Sequence, residues 1–308
     1  MTAQITGLAP KTQITANLIC MVSMLIWAAG LPAASVLIPL LPPLPLSAAR
    51  VTLAALALLP VWLLVEGPAA LIRANWGKGV LVGSSLGLGA LLMILGQTRT
   101  DAVTVAVISA AMPVVGVALE VLLDGRRITA ALIIGLVLSL IGGIIALQGG
   151  AGGFGFGLGA LMCFGSVVIF TIGSRLTVTG FPDLTPLGRT TITLVGAAVA
   201  SLIATAGHMA LGGPVPDFGG FGAREIGMLL LFGVGSLAIS QLMWIVAVGH
   251  LGIGLASLHI NATPFYVMLI LFAFGGVWNW MQAFAALVVA IGVLVAQGFF
   301  PLPRAVRP

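Results

Sequence analysis

The chain has 308 residues, of which 60% are hydrophobic and 6% are charged, and its formal net charge is +5. Soluble domains carry roughly a quarter charged residues, so this composition excludes an ordinary soluble protein. Apolar runs of bilayer-spanning length recur along the whole chain and indicate a polytopic membrane protein whose surroundings are a lipid bilayer.

Ten apolar runs are predicted to cross the bilayer as helices. Each is close to the ~20 residues that a helix needs to cross about 30 Å of hydrocarbon. A strand barrel would show alternating segments of about ten residues instead, so the predicted fold class is all-α integral membrane. The predicted spans are 14–37, 44–66, 79–97, 101–123, 128–148, 154–177, 185–208, 225–248, 251–275 and 278–299.

Spans one, two and seven carry candidate substrate contacts. Met24 and Trp27 in span one suit a pocket that is mostly apolar. Arg50 lies about one and a half turns inside span two, and Arg189 lies equally deep in span seven. Snorkelling to lipid headgroups is the ordinary interpretation of such arginines. The alternative interpretation is that they bind a substrate carboxylate.

Small side chains inside the spans indicate packing. Gly79, Gly83 and Gly87 form a ladder along span three, which predicts close approach to another helix. Cys20 and Cys163 both fall inside spans, where a thiol behaves as a small apolar group. We therefore predict neither a disulfide nor a metal site at these cysteines.

Spans four and nine each contain a proline near their middle, Pro113 and Pro264. Proline cannot donate a hydrogen bond to the carbonyl four residues before it, so both helices are predicted to break there. Broken helices at corresponding positions of two repeats indicate a transporter's binding site. The alternative is a packing kink, which membrane helices tolerate.

Span eight presents polar and aromatic groups at helical spacing. Ser236, Ser240 and Trp244 follow each other every four residues, and Gln241 lies alongside. We predict that Ser240, Gln241 and Trp244 contact the substrate. Trp244 is also near the predicted cytoplasmic end of its span, so an interfacial aromatic belt is its alternative.

Span nine is interrupted by polar residues in the stretch LASLHINATPFY, residues 255–266. On an α-helix His259, Thr263 and Tyr266 share one face, and Asn261 lies on another. All four are predicted substrate contacts. His259 is the only titratable group near the midplane, which makes it a functional candidate; a neutral imidazole hydrogen-bonded between helices is the alternative.

The chain repeats itself. Residues 85–113 align with residues 236–264 at a constant offset of 151 positions and without a gap, and both segments end in proline. This predicts two five-span repeats, residues 1–150 and 151–308. Because five is odd, the second repeat must cross the bilayer inverted. Inverted repeats typically enclose a central cavity that opens to either side in turn.

Positive charges collect on one predicted side of the membrane. The predicted loops on the other side contain Arg99 and Arg224. This positive-inside pattern predicts an inner (plasma) membrane protein with both termini in the cytoplasm, and it explains the net charge without a nucleic acid partner. The basic residues on the predicted cytoplasmic side are Lys11, Arg73, Lys78, Arg126, Arg127, Arg175, Arg304 and Arg307.

Four segments carry a resemblance to a known family: LIWAAG (25–30), MPVVGVALEVLL (112–123), DGRRIT (124–129) and IIGLVLSLIGGIIAL (133–147). Because these segments occur together and in order, the chain resembles the EamA-type members of the drug/metabolite transporter superfamily over nearly its whole length. This resemblance implies ten helices in two five-helix halves. Asp124 stands where the family often has glutamate, and the equivalent second turn, FGGVWNW, lacks a carboxylate.

The resemblance implies a secondary transporter that exports small metabolites by alternating access. Its overall character is most similar to the amino acid exporters, including the aromatic amino acid exporters of the YddG kind. A transporter of drugs or other metabolites, such as nucleotide-sugar-like compounds, is the alternative. A remote alternative is an intramembrane serine hydrolase that would use Ser236 and His259.

The expected partner is a small-molecule substrate. The chain contains neither a Walker A motif nor a zinc-binding pattern, so no cofactor, metal or catalytic residue is predicted. None of the seven acidic residues falls near the midplane of a predicted span, so uniport and proton antiport both stay open. The oligomeric state also stays open, a monomer included.

Overall fold

The computed structural model describes residues 10–125, 128–148 and 157–296. Every regular element in these ranges is helical, so the predicted all-α fold is confirmed. The first elements are α1 (Pro10–Leu37), α2 (Pro43–Glu66), the short α3 (Pro68–Arg73), α4 (Trp76–Gln97), α5 (Ala102–Ser109), α6 (Met112–Asp124) and α7 (Ala130–Gln148).

The remaining elements begin after the second gap in the described residues. They include two segments that are not α-helical, one with π-helical and one with 3-10 geometry. They are α8 (Leu158–Gly180), α9 (Pro186–Ala210), α10 (Ala223–Leu230), the π segment (Leu231–Ile239), α11 (Ser240–Leu251), α12 (Ile253–Ser257), the 3-10 segment (Leu258–Ala262), α13 (Thr263–Ala273) and α14 (Trp280–Ala296).

Eight helical runs in the described residues are long and apolar enough to cross a bilayer. They coincide with eight of the ten predicted spans, and the helix ends agree with the prediction within four residues. The fifth and tenth predicted spans correspond to α7 and α14, which have 19 and 17 residues and pack against each other. The count of ten membrane spans stays a prediction.

Polar caps fix where several helices begin. The Asn75 side chain accepts a hydrogen bond from the Lys78 backbone N–H, and Asp101 accepts from the backbone of Val103 and Thr104. Such caps satisfy backbone donors that have no partner within the helix. Asp101 is therefore a helix cap, in agreement with its predicted place at the end of a span.

Two helices are interrupted at the predicted prolines. α5 ends at Ser109 and α6 begins at Met112, so Pro113 lies in the first turn of a new helix. The 3-10 segment precedes α13, and Pro264 likewise lies in the first turn of that helix. A first-turn proline loses no intrahelical hydrogen bond. Both predicted breaks are confirmed.

The glycine ladder of α4 packs directly on α9. A Cβ atom built on Gly83 would lie 2.2 Å from the carbonyl oxygen of Thr193, and one built on Gly196 would lie 2.2 Å from the carbonyl oxygen of Gly79. A Cβ on Gly87 would lie 3.0 Å from the Ser201 hydroxyl. The two backbones approach this closely only because the side chains are missing, and the predicted close packing of the ladder is confirmed.

This contact predicts that Gly83→Ala destabilises the protein. The added methyl group meets backbone atoms that cannot move aside alone, and overpacking of this kind costs about 1–3 kcal/mol. The measurement is the thermal unfolding temperature of the purified protein in detergent.

The matched control for this substitution is Gly207→Ala in α9. A Cβ atom at Gly207 would meet nothing within 4 Å, and alanine favours a helix over glycine by about 1 kcal/mol. We expect its unfolding temperature to stay the same or rise. Equal effects of the two substitutions would contradict the assigned packing of α4 on α9.

Candidate functional site

A cavity lies inside the helix bundle, and we call it the central cavity. It is lined by residues of α1, α2, α4, α5, α6, α8, α9 and α11, of the π segment and of the 3-10 segment. Its volume is about 60 Å³, and a buried water needs roughly 10–15 Å³. The cavity therefore has room for ordered water between the helices of both predicted halves.

Lining residues of the two predicted halves correspond position by position. The shift of 151 residues that defines the repeat relates one set of lining residues in α4 to another in the π segment and α11. It also relates Ser109 to Ile260, which both line the cavity. The related sets are Leu86, Gly89, Ala90 and Met93 on one side and Leu237, Ser240, Gln241 and Trp244 on the other.

A second correspondence relates α1 to α8. A shift of 143 residues brings one triplet of lining residues onto another, and the same shift relates Val51 in α2 to Leu194 in α9. The cavity wall thus has the same pattern in both predicted halves. The two triplets are Ser23, Met24 and Trp27 in α1, and Ser166, Val167 and Phe170 in α8.

The helix breaks reach the cavity. Ser109 and Ile260 are the residues whose carbonyls would accept from positions 113 and 264 in regular α-helices, and those positions are prolines. Both Ser109 and Ile260 line the cavity. The Ile260 carbonyl accepts instead from the backbone N–H of Thr263. Irregular backbone at membrane depth is therefore found where it borders a cavity rather than lipid.

Aromatic side chains form part of the wall. Trp27, Phe170 and Trp244 line the cavity, and the rings of Phe170 and Trp244 have centroids 6.4 Å apart. Trp244 is buried, and its indole Nε1–H donates to the Ser174 hydroxyl at 3.1 Å. An interfacial belt would place this indole at the lipid surface, so that alternative interpretation is wrong.

The hydroxyl groups of the wall already have partners. Ser23 donates to the Ser240 carbonyl, Ser240 to the Ser236 carbonyl, and Ser166 to the Gly89 carbonyl, each at 2.7 Å. Gln241 differs, because it is 3% exposed and its Nε2 group has no hydrogen-bond partner among the described residues. Its amide is therefore a polar group that remains available to a ligand.

Arg50 is the charged residue of the wall. It is 3% exposed, so its guanidinium does not snorkel to headgroups. Its Nε donates to the Phe232 carbonyl at 3.2 Å, and its guanidinium lies 4.1 Å from the centre of the Phe232 ring. A contact of 3.9 Å joins Nη1 to the Met93 sulfur. No carboxylate pairs with it among the described residues.

Arg189 has a different environment from Arg50. It is half-buried and lies outside the central cavity. Its Nε donates to the Phe181 carbonyl at 2.8 Å, and its Nη2 donates to the Pro182 carbonyl at 3.1 Å. These bonds hold the turn between α8 and α9, so Arg189 has a structural contact here, and a role in binding a substrate carboxylate stays a prediction.

The predicted contacts in span nine do not line the central cavity. His259 and Tyr266 are half-buried, Asn261 and Thr263 are buried, and Ile260 is the residue of this stretch that lines the wall. The prediction assumed an α-helical spacing of 3.6 residues per turn, whereas the 3-10 segment has about 3.0. The faces therefore differ from those expected, and a role for these four residues in transport stays a prediction.

The remote hydrolase alternative required Ser236 and His259 to interact. The Ser236 hydroxyl donates to the Phe232 carbonyl at 2.8 Å, and His259 Nδ1 lies 3.2 Å from the Ala256 carbonyl. Each side chain bonds to its own helical run, and no bond joins them in the described structure. The arrangement does not form a nucleophile–base pair.

Several wall residues escaped the sequence analysis, among them Met93, Phe170 and Ser166. A signal for them was present, because Met93 corresponds to Trp244 and Phe170 corresponds to Trp27 in the repeat. The pairing of each predicted contact with its counterpart would have found Met93 and Phe170, whereas Ser166 corresponds to Ser23, which was not predicted either. Arg50, Met24, Trp27, Ser240, Gln241 and Trp244 were predicted and do meet at the cavity.

Polar contacts join the two predicted halves at one end of the bundle. Arg175 at the end of α8 pairs with Asp124 at the end of α6, with Nη2 and Oδ1 2.5 Å apart. Lys78 donates to the Gly180 carbonyl, also at 2.5 Å, and the Thr185 hydroxyl donates to Glu66. These contacts are partly exposed, so each is weak enough to break and re-form.

Comparison with known proteins agrees with the resemblance seen in the sequence. A sequence model of the EamA-like transporter family matches residues 14–148. A solved crystal structure of a protein is similar over 94% of this chain and 99% of its own, with a TM-score of 0.76 and 21% identity. At that identity the similarity shows the fold alone.

No curated protein matches the chain significantly. These comparisons therefore name no substrate, and the finer resemblance to amino acid exporters stays a prediction. The EamA-like family consists of transporters, which agrees with the absence of a predicted enzymatic activity. Residues 14–148 of the chain match the EamA-like transporter family of the drug/metabolite transporter superfamily, whose members transport small metabolites, and this match together with the apolar helices makes the chain a multi-pass membrane protein.

Proposed function

We propose that the protein is an inner (plasma) membrane secondary transporter that exports amino acids with apolar or aromatic side chains by alternating access. The observation that carries this proposal is the central cavity, whose wall is formed by corresponding residues of the two predicted halves. A wall built twice from the same pattern is what a transporter with two inverted repeats requires.

The placement of the cavity supports alternating access. It lies between helices of both predicted halves, so movement of one half relative to the other would change access to it. The polar contacts near Asp124 and Lys78 close one end of the bundle. Breaking these contacts while others form at the opposite end would expose the cavity to each side in turn.

The composition of the wall supports the substrate class. Trp27, Phe170 and Trp244 offer aromatic surface, and Met24 and Met93 offer adaptable apolar surface. Few polar groups interrupt this apolar surface. Sites of this composition bind small ligands through apolar contact and are oriented by sparse polar anchors. An amino acid with an apolar side chain matches both features.

The first test measures transport directly. Purified protein in liposomes preloaded with unlabelled phenylalanine or leucine should accumulate the same labelled amino acid by counterflow, with and without a pH gradient. Preloading with nucleotide sugars should produce no accumulation of the labelled nucleotide sugar. The reverse result would favour the alternative class of metabolite and contradict the amino acid assignment.

The unpartnered amide of Gln241 gives a second prediction. Gln241→Leu should lower counterflow about tenfold, because one hydrogen bond to a ligand contributes roughly 1–2 kcal/mol. The unfolding temperature should stay the same or rise, because an unsatisfied buried donor is removed.

Gln97→Leu is the matched control for this variant. Gln97 is also buried, but its Nε2 group donates to the Leu31 carbonyl at 2.8 Å and to the Ser35 hydroxyl at 3.1 Å. It should lose stability, whereas Gln241→Leu should lose transport. Undiminished counterflow in Gln241→Leu would remove this amide from the substrate site.

The predicted inversion can be tested by labelling two equivalent loops. The loop between the second and third spans of each half contains Ile72 and Gly220 respectively, both exposed. In a variant with Cys20 and Cys163 replaced by serine, Ile72→Cys should react with an impermeant maleimide from the cytoplasmic side. Gly220→Cys should react from the opposite side.

The N-terminal segment supplies the reference for this labelling. A cysteine in place of Ala3 should react from the same side as Ile72→Cys. Reaction of Ile72→Cys and Gly220→Cys from the same side would contradict the inverted threading and the alternating mechanism derived from it.

A further inference from the structure

We propose that Arg50 forms the anion-binding end of the central cavity and selects substrates that carry a single carboxylate. The inference rests on the proposed transport function and specifies the chemistry of its site. It assigns one end of the substrate to the guanidinium and the apolar remainder to the aromatic part of the wall.

The first observation is a buried cation without a counter-ion. Arg50 is 3% exposed, and the whole set of seven acidic side chains lies in the described residues, none of them at ion-pair distance from it. Two of these acids have other partners. Glu120 accepts from the Gly254 N–H at 2.7 Å, and Asp124 pairs with Arg175.

The second observation is the incomplete hydrogen bonding of the guanidinium. This group has five N–H donors, and its described partners are the Phe232 carbonyl and the Met93 sulfur. The ring of Phe232 adds a cation–π contact. The remaining donors have no acceptor among the described residues, although Arg50 lines the cavity. A carboxylate can accept two of them side by side.

The comparison with Arg189 argues against a purely structural explanation. Arg189 is likewise an arginine near the start of a predicted span, and two backbone carbonyls accept its donors outside the cavity. An arginine with a purely structural role in this bundle therefore finds backbone acceptors for its donors. Arg50 instead keeps donors directed to the cavity, where an arriving ligand is the available acceptor.

The cavity offers one formal charge, which limits the charge of the ligand. A phosphate ester carries about −1.5 to −2 charges at neutral pH, and one guanidinium would leave part of that charge unpaired inside the membrane. A carboxylate carries one charge and matches the planar fork of arginine. The geometry therefore favours a monocarboxylate over nucleotide-sugar-like compounds.

The aromatic part of the wall orients the substrate. Phe232, which contacts the guanidinium, lies in the π segment and precedes Gln241 of α11 by nine residues. Trp244 and Phe170 lie on the Gln241 side of the wall. A substrate with its carboxylate at Arg50 therefore extends its apolar body toward these rings.

Binding to the purified protein tests this inference without requiring transport. The probes are 3-phenylpropionate and 3-phenylpropan-1-ol, which share the ring and chain and differ in the carboxylate. Binding is measured by quenching of tryptophan fluorescence and by the shift of the unfolding temperature. Wild-type protein should bind the acid at least about tenfold more tightly, because a charge-assisted hydrogen bond is worth that factor or more.

Three variants separate the role of Arg50 from general damage. Arg50→Gln should bind acid and alcohol equally, Arg50→Lys should keep part of the preference, and Arg189→Gln should keep all of it. Phenyl phosphate should bind more weakly than the acid to the wild type. Tighter binding of phenyl phosphate, or an acid preference that survives in Arg50→Gln, would overturn the proposal.

A fourth variant covers the case in which Arg50→Gln does not fold. Met93→Glu places a carboxylate where the Met93 sulfur lies, 3.9 Å from Nη1. It should raise the unfolding temperature, since the cation gains a partner, and abolish the acid preference, since the subsite is occupied. An unchanged acid preference in a folded Met93→Glu protein would also overturn the proposal.

Failure of the two hypotheses can be distinguished. A wild-type protein that binds 3-phenylpropionate in preference to the alcohol but shows no counterflow of any amino acid contradicts the proposed function and supports the anion subsite. A protein that exchanges phenylalanine and binds acid and alcohol equally supports transport and contradicts the subsite.

Discussion

Inside a bilayer every backbone N–H and C=O group must find its partner within the protein, and the described architecture follows from this constraint. The spans are helices because helices satisfy their own backbone. Hydroxyl groups follow the same rule: Thr171, Thr205 and Ser236 each donate to the carbonyl four residues earlier. A departure from regular helix is therefore informative, because lipid offers no hydrogen-bond partner to the backbone groups that it leaves unpaired.

The departures occur where the bundle has a cavity. Ser109 and Ile260 precede the two prolines by four residues, and both border the central cavity. The π segment, Leu231–Ile239, contributes Leu237 to the same wall and the Phe232 carbonyl to Arg50. By contrast, the glycine contact between α4 and α9 is regular and tight. Small residues at this contact let the two helix backbones approach closely.

The sequence was sufficient to predict the membrane spans and the helix breaks, but it did not predict which helix faces line the central cavity. Hydropathy located the helix ends within four residues, because the length of a span is set by the thickness of the bilayer. Pro113 and Pro264 located the breaks, because a missing N–H has the same consequence in any context. The predicted direction of the His259 side chain assumed the residue spacing of an α-helix, whereas this stretch has 3-10 geometry. Local geometry next to a break is set by packing, which a single sequence does not reveal.

Arg50 illustrates how burial decides between interpretations that the sequence leaves equal. An arginine one and a half turns inside a span can reach the lipid headgroups or face the interior of the helix bundle, and its position in the sequence does not distinguish the two orientations. Burial against Phe232 excludes the headgroups, and the absence of a paired acid in the described residues leaves the cation to be neutralised from outside. A ligand that brings the missing charge binds best to the conformation in which Arg50 is enclosed. Because a ligand shifts a conformational equilibrium only through its differential affinity for the two states, such a ligand would favour closure of the bundle around itself, and an uncharged molecule of the same shape would favour it less.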